Sequence, residues 1–125
     1  MEHWQQMISA GNDAEQRGDH LVAMERYRQA SRCARRLLDR WFDTEAALSA
    51  LVTSDFKLAE SQCRLGKFEQ AIDTYASLSL DLRKFQFSFA PSNPIVAMVA
   101  RALTFTKAEF LKLTQVYAYD ILAAK

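Results

Sequence analysis

Glycine and proline are scarce in this sequence, with three Gly and two Pro across 125 residues. A β-sandwich or barrel needs a turn about every 8–12 residues, and so few breakers cannot punctuate one. Cysteine is scarce too. Cys33 and Cys63 stand far apart, which offers neither a CxxC motif nor a disulfide framework. The two histidines are His3 and His20, and no HExxH, GxSxG, phosphate-cradling loop or Gly-rich dinucleotide turn is present. No run approaches the ~20 apolar residues that span a bilayer. Met1 opens a polar, amphipathic segment rather than a charged start leading into an apolar stretch, unlike a secretory leader. Sixteen basic and fifteen acidic side chains leave a net charge of +1, so no global field draws the chain to nucleic acid or a membrane. These absences predict a cytoplasmic protein with reduced thiols, no catalytic centre, no metal and no cofactor.

The composition that remains favours helices. Half of the residues are hydrophobic and a quarter are charged, enough apolar material for one core over residues 1–125. Apolar residues recur at helical spacing from Trp4 to Arg17, and Gly18-Asp19 interrupts them. A second helix is predicted from about His20 to Trp41. Asp43-Thr44-Glu45 places acidic groups at the start of a third, which runs to Gly66. A fourth starts near Phe68 and carries Ala71, Ile72, Tyr75, Leu78 and Leu82. Residues 88–93 read as a loop, after which Asn93-Pro94 supplies an N-cap and an N1 proline. Val96, Val99, Leu103, Phe110, Leu113, Tyr117 and Ile121 hold a 3-and-4 spacing that predicts one long C-terminal helix over 94–123. A break near Thr104–Thr106 is the alternative, with Thr106-Lys-Ala-Glu109 as a capping box.

The chain repeats itself. Gly18, Ala23 and Tyr27 recur 48 residues later as Gly66, Ala71 and Tyr75, at identical offsets within each segment. This pattern resembles the tetratricopeptide repeat (TPR). The small residues Gly11 and Ala23 and the aromatic Tyr27, with Ala30 after it, match the first copy. Ala59, Ala71, Tyr75 and Leu78 match the second. In this reading Gly11 lies against Ala23, and Ala59 against Ala71, where helices approach closely. Tyr27 and Tyr75 fill the gap toward the next hairpin, and Gly18 and Gly66 close tight turns. The period exceeds the usual one of about 34 residues, which points to the extended-helix type of the superfamily. Arg35 stands where the family has proline. The resemblance implies an all-α fold of right-handed antiparallel hairpins in a TPR-like superhelix. It would have about five helices, in hairpins of about 4–41 and 43–84, and a capping helix over 94–123. The sequence is also similar to short bacterial proteins of this type.

Four features are candidates for function. Glu60 and Arg64 sit at i, i+4, the spacing of a surface ion pair, and Arg64 neighbours Cys63. A cation beside a thiol can activate it, so a thiol-dependent enzyme or redox protein at Cys63 is the rival from another class. Arg28, Arg32, Arg36 and Arg40 recur every fourth residue. Between residues 26 and 42 six arginines stand against one acid, Asp39. Such a stripe reads first as a solvated helix face, second as a surface for an acidic protein and last for nucleic acid. The resemblance implies a groove formed by Gln5, Ile8, Asn12 and Gln16 with Thr53, Phe56, Lys57, Glu60 and Arg64. These residues would either hold a helix or extended peptide of a protein partner or face a third helix as core. Relatives that clamp a C-terminal carboxylate carry lysine where Ile8 stands, so that specificity is not implied. Finally Phe85, Phe87 and Phe89 alternate before Pro91. If extended they share one face, either plugging the bundle end or forming a sticky patch.

The expected function is a non-catalytic protein–protein interaction module. A small secretion or assembly chaperone for an apolar client helix is the alternative. Two repeats are thin for a free solenoid, so a homodimer through the Val96, Val99, Leu103, Phe110 and Tyr117 stripe is a further expectation. Glu at Val99 and Leu103 would then yield a folded monomer.

Overall fold

The computed structural model describes residues 1–123, so the last two residues of the 1–125 domain lie outside the described part. The chain is all-α. Its helices are α1 (Glu2–Gln16), α2 (His20–Arg40), α3 (Thr44–Arg64), α4 (Phe68–Phe87), α5 (Pro94–Val116) and α6 (Ala118–Ala123).

Local chemistry sets most of these boundaries. Gly18 and Gly66 take φ of 76° and 73°. Each ends its helix in the same two-bond motif. Asp19 N–H donates to Ala14 O and Gly18 N–H to Glu15 O, just as Lys67 donates to Gln62 O and Gly66 to Cys63 O. Asp19, Asp43 and Asn93 cap α2, α3 and α5, accepting from the backbone N–H of Val22, Ala46 and Ile95. Pro94 occupies the first turn of α5.

Helices α1, α3 and α5 run side by side and parallel, and α2 and α4 run antiparallel to them in a second layer. Trp4 Nε1 donates to Ser54 Oγ at 2.6 Å, and Ser61 Oγ to Glu15 at 2.8 Å, which fixes α1 against α3. Arg35 of α2 meets Asp81 of α4 at 2.8 Å. Helix α3 is central and packs on α2, α4 and α5. The main core, with Leu51, Leu78, Leu82, Val99 and Phe110, lies among α3, α4 and α5. A smaller one joins Ala14, Ala23, Met24, Tyr27 and Leu58.

Several expectations are corrected. Among the described residues the C-terminal segment is two helices instead of one, which brings the about five expected to six within the same all-α fold. The break falls at Tyr117, not at Thr104–Thr106. The capping box does not form, because α5 runs unbroken through Thr106, whose hydroxyl turns into the core and makes no hydrogen bond among the described residues. Of the stripe expected to pair two chains, Val99 and Phe110 are buried within the chain itself, and Leu103 and Tyr117 pack half-buried on the same core, so most of it is spent inside one molecule. Phe85 and Phe87 are helical, because no breaker precedes Ser88, so the three phenylalanines do not share an extended face. Phe85 packs on the core and stacks edge-on with Phe89 at 5.0 Å, while Phe87 points to solvent.

Gly11 makes room for an aromatic ring. A Cβ there would clash with Cε1 of Tyr27, so its smallness admits the Tyr27 ring. Gly11→Ala is expected to cost about 1–3 kcal/mol by overpacking, read as a lower urea midpoint. An unchanged midpoint would show that the ring moves aside freely. Thr106 poses the opposite problem, since its buried Oγ1 has no hydrogen-bond partner among the described residues. Thr106→Val removes that unmet polar group at nearly constant shape and is expected to raise stability by about 1 kcal/mol in the same assay. A loss of stability would mean that the hydroxyl is satisfied after all.

Candidate functional site

The residues expected to line a groove fall mostly on the seam between α1 and α3. Gln5 and Gln16 are exposed on α1, while Ile8 packs against the smaller core. Asn12 Oδ1 accepts from the Tyr27 hydroxyl at 2.7 Å, and Lys57 Nζ stands 5.9 Å from the centre of the Tyr27 ring. Arg64 reaches Glu15 at 2.6 Å and Glu60 only at 3.8 Å. His20 Nδ1 approaches the same Glu15 carboxylate at 3.1 Å. Burial, with Glu15 and Glu60 nearby, pushes the Tyr27 hydroxyl up to about 12. The fold thus gathers Asn12, Lys57, Glu60 and Arg64 and ties the polar ends of Asn12 and Arg64 to Tyr27 and Glu15. Phe56 turns the other way, edge-on to Phe110 at 5.8 Å.

Between α3 and α5 lies a groove of about 330 Å³. Its apolar floor is Leu48, Val52, Met98 and Ala102, with Thr53 on one wall and Phe105 on the other. Phe105 is 56% exposed although it sits beside this floor. Glu45 and Arg101 add one charge of each sign to the lining. Of these residues only Thr53 was anticipated. The α5 contribution lacks a sequence signal because it depends on how α5 lies against α3.

A second cleft, of about 270 Å³, opens on the other flank of α5 between α4, α5 and Ile121. Cys63 lies in its lining, and its thiol is pushed up by burial and by Glu60, with Arg64 opposing. That is the reverse of the shift that makes a thiolate nucleophile.

Along α2 the arginine stripe divides. Arg28 pairs with Glu25 at 3.2 Å, and Arg32 reaches it at 3.9 Å. Arg36 and Arg40 are exposed and make no ion pair among the described residues. Arg35 is half-buried and turns inward. It bonds Asp55 at 3.0 Å, Asp81 at 2.8 Å and Ser31, whose hydroxyl in turn donates to Asp55. Asp55 is only 1% exposed, and burial pushes its carboxyl up against the opposing pull of Arg35. Of the six arginines between residues 26 and 42, Arg35 is thus the one drawn toward α3 and α4.

Among the described residues no group of three or more His, Cys, Asp or Glu is placed to hold a metal ion. No helix there is long and apolar enough to cross a membrane. No curated protein and no solved structure matches the chain. Over residues 2–124 the chain matches the family described as "Protein of unknown function (DUF2753)", and it belongs to that family.

Proposed function

We propose that the chain is a non-catalytic, TPR-like protein–protein interaction module of the cytoplasm. It holds an amphipathic helix or extended peptide of a protein partner in the groove between α3 and α5. The observation that carries this reading is the exposed Phe105 beside an apolar floor of Val52, Met98 and Ala102. An apolar strip with one acid and one base suits a segment whose apolar side chains enter while its polar ones stay in water. Several polar groups of the α1–α3 seam bond to one another instead, whereas the α3–α5 groove keeps Phe105 exposed beside its apolar floor.

Affinity capture from lysate of the source cells, with wild type and Phe105→Asp side by side, tests the proposal. One stoichiometric protein held by wild type and weakened at least about tenfold by the variant is expected. A wild type that holds nothing, or a variant that holds the same protein equally well, would overturn it.

A further inference from the structure

The net charge of +1 is unevenly placed on the surface. Helices α2 and α4 share a layer, and their C-terminal ends lie together. Leu38 and Asp39 of α2 line one crevice with Lys84, Phe85 and Ser88 of α4. In the first half of α2, Glu25 takes up Arg28 and Arg32, and Glu69 and Asp73 make the start of α4 acidic. The free cations therefore collect at the other end of the layer. Arg36, Arg40, Arg83 and Lys84 are all exposed there and make no ion pair among the described residues. Of the acids near them, Asp81 pairs with Arg35, Asp43 caps α3, and Glu45 lines the groove in the other layer. That leaves Asp39 against four cations.

The same end carries apolar tips. Phe42, in the α2–α3 connection, is 87% exposed, and Phe87, the last residue of α4, is 85% exposed. Among the described residues no other large hydrophobic side chain is as exposed. Trp41 stacks on Phe42 at 4.9 Å and is itself only half-buried. On α4, Leu80, Arg83, Lys84 and Phe87 stand at i, i+3, i+4 and i+7, and all four are exposed. That spacing makes them one helix face. It turns away from Leu78, Leu82 and Phe85, which pack on the core.

Charge and shape together narrow the partner. An anionic bilayer takes exposed rings into its headgroup boundary while its phosphates meet the surrounding cations. A nucleic-acid strand needs a basic groove that tracks its backbone, and the crevice at this end is lined by Asp39 and Asp81 as well as Lys84. An acidic protein would match the cations. It would also need pockets at a set spacing for two tips that project from separate helix ends, a demand that a bilayer does not make.

We infer that the C-terminal ends of α2 and α4 dock peripherally on an anionic lipid surface. Phe42 and Phe87 enter the headgroup layer, and Arg36, Arg40, Arg83 and Lys84 meet the lipid phosphates. The groove at Phe105 lies between helices of the other layer, so this contact is independent of the proposed protein site.

Flotation of the full chain with vesicles tests it, comparing equal parts of phosphatidylglycerol and phosphatidylcholine with phosphatidylcholine alone. Wild type is expected to bind the anionic vesicles at least about tenfold more tightly than the neutral ones, and to be released as salt rises. Phe42→Ser with Phe87→Ser should weaken binding at least about tenfold. So should the joint change of Arg36→Gln, Arg40→Gln, Arg83→Gln and Lys84→Gln. All six sites are exposed, so the circular dichroism of both variants should match that of wild type. A chain that ignores anionic vesicles, or binds neutral ones equally well, overturns the inference. So does flotation that is unchanged by either set of substitutions. Binding to poly-glutamate or to a single-stranded DNA oligomer in place of vesicles, lost with the same four cations, also overturns it and assigns this end to an acidic chain or a nucleic acid.

Discussion

Replacing Arg35 with methionine is expected to destabilise the fold by about 3–5 kcal/mol at neutral pH, because it strands a buried carboxylate. Asp55 is held by the Arg35 guanidinium and the Ser31 hydroxyl, and Arg35 spans from it to Asp81. Burial already pushes the Asp55 carboxyl above its ordinary value, and removal of the cation pushes it further. An acid whose value is raised on folding binds its proton more tightly in the folded state. Its effect on stability is then most favourable at low pH and worsens as pH rises through the raised value. The Arg35→Met variant should therefore recover part of its loss in acid. Adding Asp55→Asn should recover much of it at neutral pH, since the stranded charge is gone. Urea midpoints of the single and double variants over a pH series give the answer. A loss below about 1 kcal/mol that ignores pH would mean that water already reaches Asp55.

The second large effect concerns α5. Val99 is fully buried against the core of α3 and α4, so Val99→Glu places a carboxylate inside an apolar core. A loss of at least about 4 kcal/mol is expected, enough to unfold many small domains. Leu111→Glu, on the exposed flank of the same helix, is expected to keep stability within about 0.5 kcal/mol. Circular dichroism during urea titration separates the two. A folded Val99→Glu variant would return that stripe to the surface, where the 3-and-4 pattern alone allowed it to be. The pattern identifies an apolar face without saying what covers it.

Elements of this fold were legible wherever a local signal stood behind them. Gly18 and Gly66 sit at positive φ at the ends of their helices, and Asp43 and Asn93 cap the next ones. Each acts within a few residues of its own position, and so each could be read from sequence. Contacts set by how hairpins stack could not. Glu15 meets Ser61 and Arg64 across 46 and 49 residues. Arg35 belongs by composition to an arginine stripe yet by geometry to a buried carboxylate. Gly11 looked like a helix-crossing residue but makes room for an aromatic ring from the same hairpin. The break at Tyr117 carries no glycine or proline to announce it. The candidate groove was legible only in part. The α3 wall at Thr53 follows from the repeat, while Met98, Ala102 and Phe105 enter through the way α5 lies beside α3.

The central claim is that the chain works by holding another protein between α3 and α5, and site-resolved photocrosslinking tests it most directly. A photoreactive phenylalanine analogue is placed at residue 105 in the groove or at residue 13 on the outer surface of α1, and source-cell lysate is irradiated with each. The account predicts one discrete adduct with a foreign protein from residue 105 and none from residue 13. Equal labelling from both positions, or no adduct from residue 105, would contradict it.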